Sequence, residues 1–344
     1  MLAAKLYATN DIRLEEIAKP SPRPGQALLR ITEVGVCASD VHWYNEGRIG
    51  ETVMKDPLIL GHEFAAVVAE VGAGVTNVKP GDRVAVEPAM HCGKCDMCLE
   101  GRYNICRNVL FCGTPPTDGA LCEYLAWPAS LLANVPDSIS MGEAAMLEPM
   151  AIGVHAVNLV HGIKGKTVGV LGVGAVGLSI LQAAKVAGCG ELIATDLLPM
   201  RLDVAKRLGA SKTFDAGRPD IIEAVRDATG GRGLDVVFEA AGVNEAVRVA
   251  TEIVRPGGLV LAGGIPDNNI MTVEASIVRR KELTIQLLRR SNNTLHDAIK
   301  LLADGKVEVN SYITHRFPLA DVEKALKTAR DDKANSIRVI VKVS

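Results

Sequence analysis

Four cysteines fall between Cys92 and Cys106 in the pattern Cys92-x2-Cys95-x2-Cys98-x7-Cys106. Thiolates at these spacings can surround one tetrahedral Zn²⁺. Sulfur then fills every coordination position and leaves none for water or substrate. The knot therefore reads as structural, a staple for a loop over 88–108 that lacks an apolar core of its own. Asp96 and Glu100 lie within it and argue against a nucleic-acid-binding zinc module. Further along, Gly172-x-Gly174-x-x-Gly177 follows the apolar run Val168–Leu171. Gly172 permits a tight turn, Gly174 lets the backbone approach a pyrophosphate, and Gly177 lets helix and strand pack closely. The helix that begins there offers free amides and a partial positive charge to phosphate. Asp196 stands 19 residues beyond Gly177 (196 − 177) at the end of the next strand. A carboxylate there accepts hydrogen bonds from both adenine-ribose hydroxyls and repels a 2′-phosphate, so NAD is expected over NADP. Arg201 is expected over the adenine.

Three further features could hold a second zinc with an open position. They are Cys37 within Gly35-Val36-Cys37-Ala38-Ser39-Asp40-Val41-His42, His62-Glu63 after Gly61, and Glu148-Pro149. One thiolate, one imidazole and one or two carboxylates suit such a site. Taken singly, each is commonplace.

These residues need elements to carry them. Residues 1 to about 149 read as β-rich, with short runs such as Ala27–Val36, Ala65–Val71 and Arg83–Val86 broken by Pro and Gly. A small irregular barrel with long loops is expected there. From Ala151 to about Leu288 strands and helices alternate. Thr167–Leu171, Glu191–Thr195, Val236–Glu239 and Leu259–Ala262 read as strands, and Val176–Ala187, Met200–Leu208 and Glu245–Val254 as helices. That alternation predicts a parallel sheet with helices on both faces, an α/β fold. A helix near Thr294–Ala303 and a strand over Ser336–Val343 suggest that the chain returns to its first domain. The predicted organisation is 1–150 with 289–344 as one domain and 151–288 as the other.

At 344 residues, two domains suit the length. A formal net charge of −2 without a basic cluster points away from nucleic acid and membrane surfaces. The N-terminus lacks the apolar core of a signal peptide. Clustered cysteines without an export signal suit metal ligation in a reducing cytoplasm. Cys112, Cys122 and Cys189 read as small buried hydrophobes.

Over essentially its whole length the chain resembles the zinc-dependent medium-chain dehydrogenases, and within them the polyol branch of sorbitol and xylitol dehydrogenases. The resemblance rests on the Cys37–His42 segment, Gly47-Arg48-Ile49-Gly50, Leu60-Gly61-His62-Glu63, Lys79-Pro80-Gly81-Asp82-Arg83-Val84 and Gly101-Arg102-Tyr103-Asn104. Phe111-Cys112-Gly113-Thr114-Pro115-Pro116, Glu148-Pro149 and His315-Arg316-Phe317-Pro318-Leu319 add to it. It implies a GroES-like catalytic domain, a Rossmann coenzyme domain, NAD, one catalytic and one structural zinc, and a homotetramer with a dimer as the alternative. It places Cys37, His62 and Glu63 at the catalytic zinc, with Glu148 beside it, bound directly or through water. Ser39 and His42 match its proton relay. Gly172, Gly174, Val176, Gly177, Asp196, Arg201, Gly263 and Arg289 match the cofactor site. Phe111, Thr114, Glu148, Arg289 and Asn292 match the substrate pocket. The implied reaction is oxidation of a sugar alcohol to a ketose, with hydride passing to the nicotinamide. Two departures stand out. Trp43-Tyr44 reverses the order of aromatics in mammalian-type sorbitol dehydrogenases, and Arg290 replaces an aromatic, which leaves a charged substrate open. The alternatives are a threonine, butanediol or simple alcohol dehydrogenase on the same scaffold, or a non-catalytic dinucleotide-binding protein.

Overall fold

A computed structural model describes residues 1–266 and 269–344. These form two compact units, one of residues 1–149, 292–305 and 309–344, the other of residues 150–291 and 306–308. The second unit thus takes in residues 150, 289–291 and 306–308, which the sequence pattern assigned to the first. Glu308 is tied there by its backbone, which pairs with the Gln182 carboxamide at 2.7 and 2.8 Å.

The first unit is built on a seven-stranded sheet. Its order runs Leu132–Asn134, Arg83–Val86, Glu63–Val71, Gln26–Val36, Arg338–Lys342, Ile313–Pro318, and Tyr124–Pro128 also pairs with Gln26–Val36. All pairs are antiparallel except the last two strands of that order. Gln26–Val36 is the hub because eleven residues are enough to receive one partner on one edge and two in succession on the other. Leu29, Ile31, Val34, Phe64, Trp127, Val339 and Val341 fill the core. Trp43 and Tyr44, the reversed aromatics, are buried there as well. The Tyr44 hydroxyl donates to Glu323 at 3.2 Å, which answers its polar end.

The second unit contains a six-stranded, all-parallel sheet in the order Lys212–Asp215, Leu192–Asp196, Val168–Leu171, Leu234–Glu239, Val254–Ala262, Thr284–Leu287. Numbered along the chain this is 3-2-1-4-5-6, the doubly wound Rossmann order. The inner strands are apolar on both faces, as a sheet covered by helices requires: Val168, Val170, Leu234, Val237 and Val260 are all buried. The order reverses between Val168–Leu171 and Leu234–Glu239. Among the described residues no helix is long and apolar enough to cross a membrane.

Candidate active site and metal centres

The first cluster grows from three pieces of backbone in the first unit. Cys37 precedes the helix Ala38–Glu46, and its N–H is accepted by the Asp40 carboxylate at 2.9 Å. The other oxygen of Asp40 accepts the Gly61 N–H at 3.1 Å and lies 3.5 Å from His62 Nδ1. One buried carboxylate therefore ties the thiol's backbone to the imidazole. It also orients the ring, since Asp40 faces Nδ1 and leaves Nε2 for another partner. Glu63 begins the strand Glu63–Val71. Its Oε1 lies 3.1 Å from Arg338 Nη2, while Arg338 Nη1 donates to the Val36 carbonyl at 2.7 Å. Both side chains are buried.

The thiol, imidazole and carboxylate lie with one ligand atom each within 4.8 Å of the others. Glu63 Oε2 is buried and has no hydrogen-bond partner. A Cβ at position 35 would stand 2.6 Å from that oxygen and 2.6 Å from Met146 Cε, so only glycine leaves the carboxylate room. An orphaned carboxylate oxygen beside a thiol and an imidazole fits a zinc ion with a position to spare. Glu148 is buried in the first turn of the helix Leu147–Asn158, outside that group of three. Burial, and then the Glu63 charge, push its pKa up to about 8 in the absence of metal. For His62, burial works against the imidazolium, but the Asp40 charge and hydrogen bonding to Asp40 and Cys37 outweigh it and raise the pKa.

Ser39 and His42 share one face of the helix Ala38–Glu46 at i, i+3 spacing. Ser39 Oγ lies 3.5 Å from His62 Nε2. His42 Nδ1 lies 2.9 Å from Glu46 Oε1. A carboxylate only accepts, so this contact puts a proton on Nδ1 and leaves Nε2 as the acceptor of a neutral ring. The Phe111 ring stands 5.1 Å from that of His62, and the Thr114 N–H donates to the Phe111 carbonyl at 3.1 Å. Asn292 Oδ1 accepts the Tyr103 N–H and its Nδ2 donates to the Gly101 carbonyl, both at 3.0 Å, so its carboxamide braces the 101–103 stretch of the cysteine loop.

In that loop the Cys95 sulfur lies 3.5 Å from Cys98 and 3.8 Å from Cys106. A tetrahedron of zinc–sulfur bonds of about 2.3 Å has an edge of about 3.8 Å, so the sulfurs already stand at coordinating distance. Backbone N–H groups of Lys94 and Cys95 lower the Cys92 thiol to about 6, whereas burial lifts Cys98 to about 12. All eight cysteines are free thiols.

In the second unit the glycine turn leaves Val168–Leu171 with Gly172 at φ +84° and enters the helix Ala175–Val186. A Cβ on Gly177 would stand 1.9 Å from the Gly172 carbonyl oxygen, whereas one on Gly174 would meet only Arg201 Nη1, at 3.8 Å. Tight packing behind and open space in front fit a pyrophosphate. Asp196 accepts the Val173 N–H at 2.8 Å and the Leu198 N–H at 3.0 Å, so it braces the glycine turn and the approach to the next helix. Arg201 lies 3.8 Å from it. Burial holds the Arg289 guanidinium below its ordinary pKa.

The alcohol dehydrogenase GroES-like domain family matches residues 23–137, and the zinc-binding dehydrogenase family matches residues 175–304. A sorbitol dehydrogenase of Bacillus subtilis is 38% identical over 341 residues, 99% of this chain and 97% of that protein. The chain belongs to the zinc-dependent medium-chain dehydrogenases. It is also similar to a probable D-xylulose reductase A of Neosartorya fischeri, 35% identical over 96% of this chain and 94% of that protein. An Escherichia coli oxidoreductase of unknown specificity, involved in membrane biogenesis, matches with a TM-score of 0.95, 34% identity and coverage of 100% and 99%. This dehydrogenase uses NAD and zinc, and its polyol-branch resemblance holds across both units. Asp40, Arg338 and Gly35 escaped the sequence reading as parts of the site. The trace each leaves is small: an acid three residues after a candidate ligand, an arginine inside an apolar strand, and a glycine inside another.

Proposed function

We propose that this chain oxidises a secondary hydroxyl of a sugar alcohol to a ketose. The observation that carries the reading is the Cys37–His62–Glu63 cluster, with its orphaned oxygen and its buried Asp40 and Arg338 supports. Cys37, His62 and Glu63 would hold a zinc ion whose charge would lower the pKa of a substrate hydroxyl, and NAD, when bound, would supply the hydride acceptor. The protein's own residues do the rest. Asp40 and Arg338 hold the imidazole and carboxylate in place. Ser39 hands the hydroxyl proton outward to Nε2 of His42, whose side chain is partly exposed and can release it to water. Glu148 lies beside the ligands, and Phe111 and Thr114 shape the substrate's surroundings on the first unit.

The relatives named as sorbitol dehydrogenase and D-xylulose reductase support a polyol as substrate. Arg290 next to Arg289 favours a second reading, a polyol phosphate, and a solved Escherichia coli structure 25% identical to this chain is a galactitol-1-phosphate dehydrogenase. An initial-rate screen of sorbitol, xylitol, galactitol, galactitol 1-phosphate, ribitol, threonine and butanediol with NAD and with NADP tests both. Polyols with NAD are expected to lead by about tenfold or more. Threonine or butanediol in the lead would overturn the reading.

A homotetramer in the cytoplasm completes the proposal. Leu287 on the edge strand Thr284–Leu287, with Ile265, Ile270 and Val273, leaves apolar surface exposed on the second unit. Light scattering decides the oligomeric state.

A further inference from the structure

A buried carboxylate in the second unit has no place in the reaction above. Glu239 is the last residue of the strand Leu234–Glu239 and is 1% exposed. Its Oε1 accepts the N–H groups of Ala241 at 2.8 Å and Gly242 at 2.7 Å, and its Oε2 accepts that of Gly264 at 3.2 Å. These donors come from two loops, one leaving Leu234–Glu239 and one leaving Val254–Ala262. The loops cross at contact. A Cβ on Gly264 would stand 2.2 Å from the Gly242 nitrogen and 2.7 Å from Glu239 Oε2. The first loop also backs onto the glycine turn, where a Cβ on Gly172 would stand 2.6 Å from the Ala241 nitrogen. The carboxylate is thus the peg at which two loops are pinned together, and the pinned pair rests against the phosphate turn.

Where those loops sit gives the peg a task. A dinucleotide crosses the point at which the strand order reverses, here between Val168–Leu171 and Leu234–Glu239. Asp196 ends the strand on one side of that point. With the adenosine half on that side, the nicotinamide half lies over the ends of Leu234–Glu239 and Val254–Ala262. We propose that Glu239 is a positioning residue for the nicotinamide half of NAD. It fixes the spacing of loops 240–242 and 263–264 through their backbone amides, without touching the cofactor. This rests on the reading that Asp196 and the glycine turn receive the adenosine half.

Glu239→Gln keeps the size of the side chain but turns one acceptor into a donor facing another donor, so at least one peg bond is lost. ADP-ribose, which lacks nicotinamide, separates the two halves of the cofactor. In Glu239→Gln the affinity for NADH is expected to fall about tenfold, the worth of one buried hydrogen bond, while that for ADP-ribose stays within about twofold. Bound zinc is expected to be unchanged. Gly264→Ala, which keeps the carboxylate but forces the crossing apart, is expected to give the same split and serves where Glu239→Gln does not fold. Equal loss for both ligands, or loss for neither, overturns the inference. Asp196→Ala is the control on the underlying reading and is expected to weaken both ligands together. If it spares ADP-ribose, the placement of the adenosine half fails, independently of Glu239.

Discussion

The two metal clusters of the first unit present similar donors in opposite settings. Around Cys37, His62 and Glu63 the supports are charged and buried: Asp40 from the helix that follows Cys37, and Arg338 from the strand Arg338–Lys342, far along the chain. Around the four cysteines the supports lie mostly within the loop itself. They are backbone N–H groups, an exposed bidentate Arg107–Asp96 pair at 2.7 Å on its Nε side, and the brace from Asn292. A site built on buried charge holds its shape against the fold's own core, and one built on a loop depends on its ion. The lesson is that the ligand set alone does not separate a working metal from a structural one. What surrounds the ligands does.

The largest effect is expected at the first cluster. Cys37→Ser removes a ligand while leaving the Asp40 and Arg338 supports intact. Activity is expected to fall about a thousandfold, with bound zinc dropping from two to one per chain and little change in melting temperature. Full activity with one zinc retained would break the comparison. Next comes Arg338→Met, which strands the Glu63 carboxylate. A destabilisation on the order of 3 kcal/mol is expected in urea titrations, as for a buried pair that loses one member. A loss under about 1 kcal/mol would show that the buried charges are ornament rather than support.

Asp235 provides a reference without metal. It accepts Arg255 Nε at 2.6 Å, Arg232 Nη2 at 2.8 Å, and the Thr167 N–H and hydroxyl at 2.8 and 2.9 Å. Burial works to raise its pKa, but these donors outweigh it and hold it at about 2, against an ordinary 3.8. A depressed carboxylate stabilises the fold above its unfolded pKa and loses that contribution as the pH falls through the folded one. Asp235→Asn is therefore expected to cost about 2 kcal/mol at pH 7, with the gap to the parent closing between about pH 4 and pH 2. A gap that persists at pH 2 would assign the loss to packing. The smallest effect on catalysis is expected at the cysteine loop. Cys106→Ser should release that zinc and open 88–108 to limited proteolysis, with kcat changed by less than about threefold. A collapse of activity there would put the loop on the same footing as the first cluster.

Sequence read most clearly where an element and its chemistry are contiguous. The strand, glycine turn and helix of 168–186 announce themselves because every contact that matters lies within a few residues. The edge strands Lys212–Asp215 and Thr284–Leu287 did not, since half-exposed strands carry no unbroken apolar run. Helix Val322–Asp331 buries Val322, Ala325 and Leu326 at helical spacing, yet its charged residues mask the stripe. The ligand triad itself was legible, but its supports were not. Arg338 reads as one basic residue in an apolar strand, and only the pairing of that strand with Gln26–Val36 turns it toward Glu63.

The partnership between Glu63 and Arg338 also imposes an order on biosynthesis. The chain leaves the first unit after Pro149 and does not rejoin it until Asn292. While the ribosome is making the intervening residues, the parallel sheet has every strand it needs to close. The Glu63 carboxylate has no counter-ion until the strand bearing Arg338 emerges. A nascent chain thus holds all six strands of its coenzyme sheet before it holds the residue that neutralises the acid at its reactive centre.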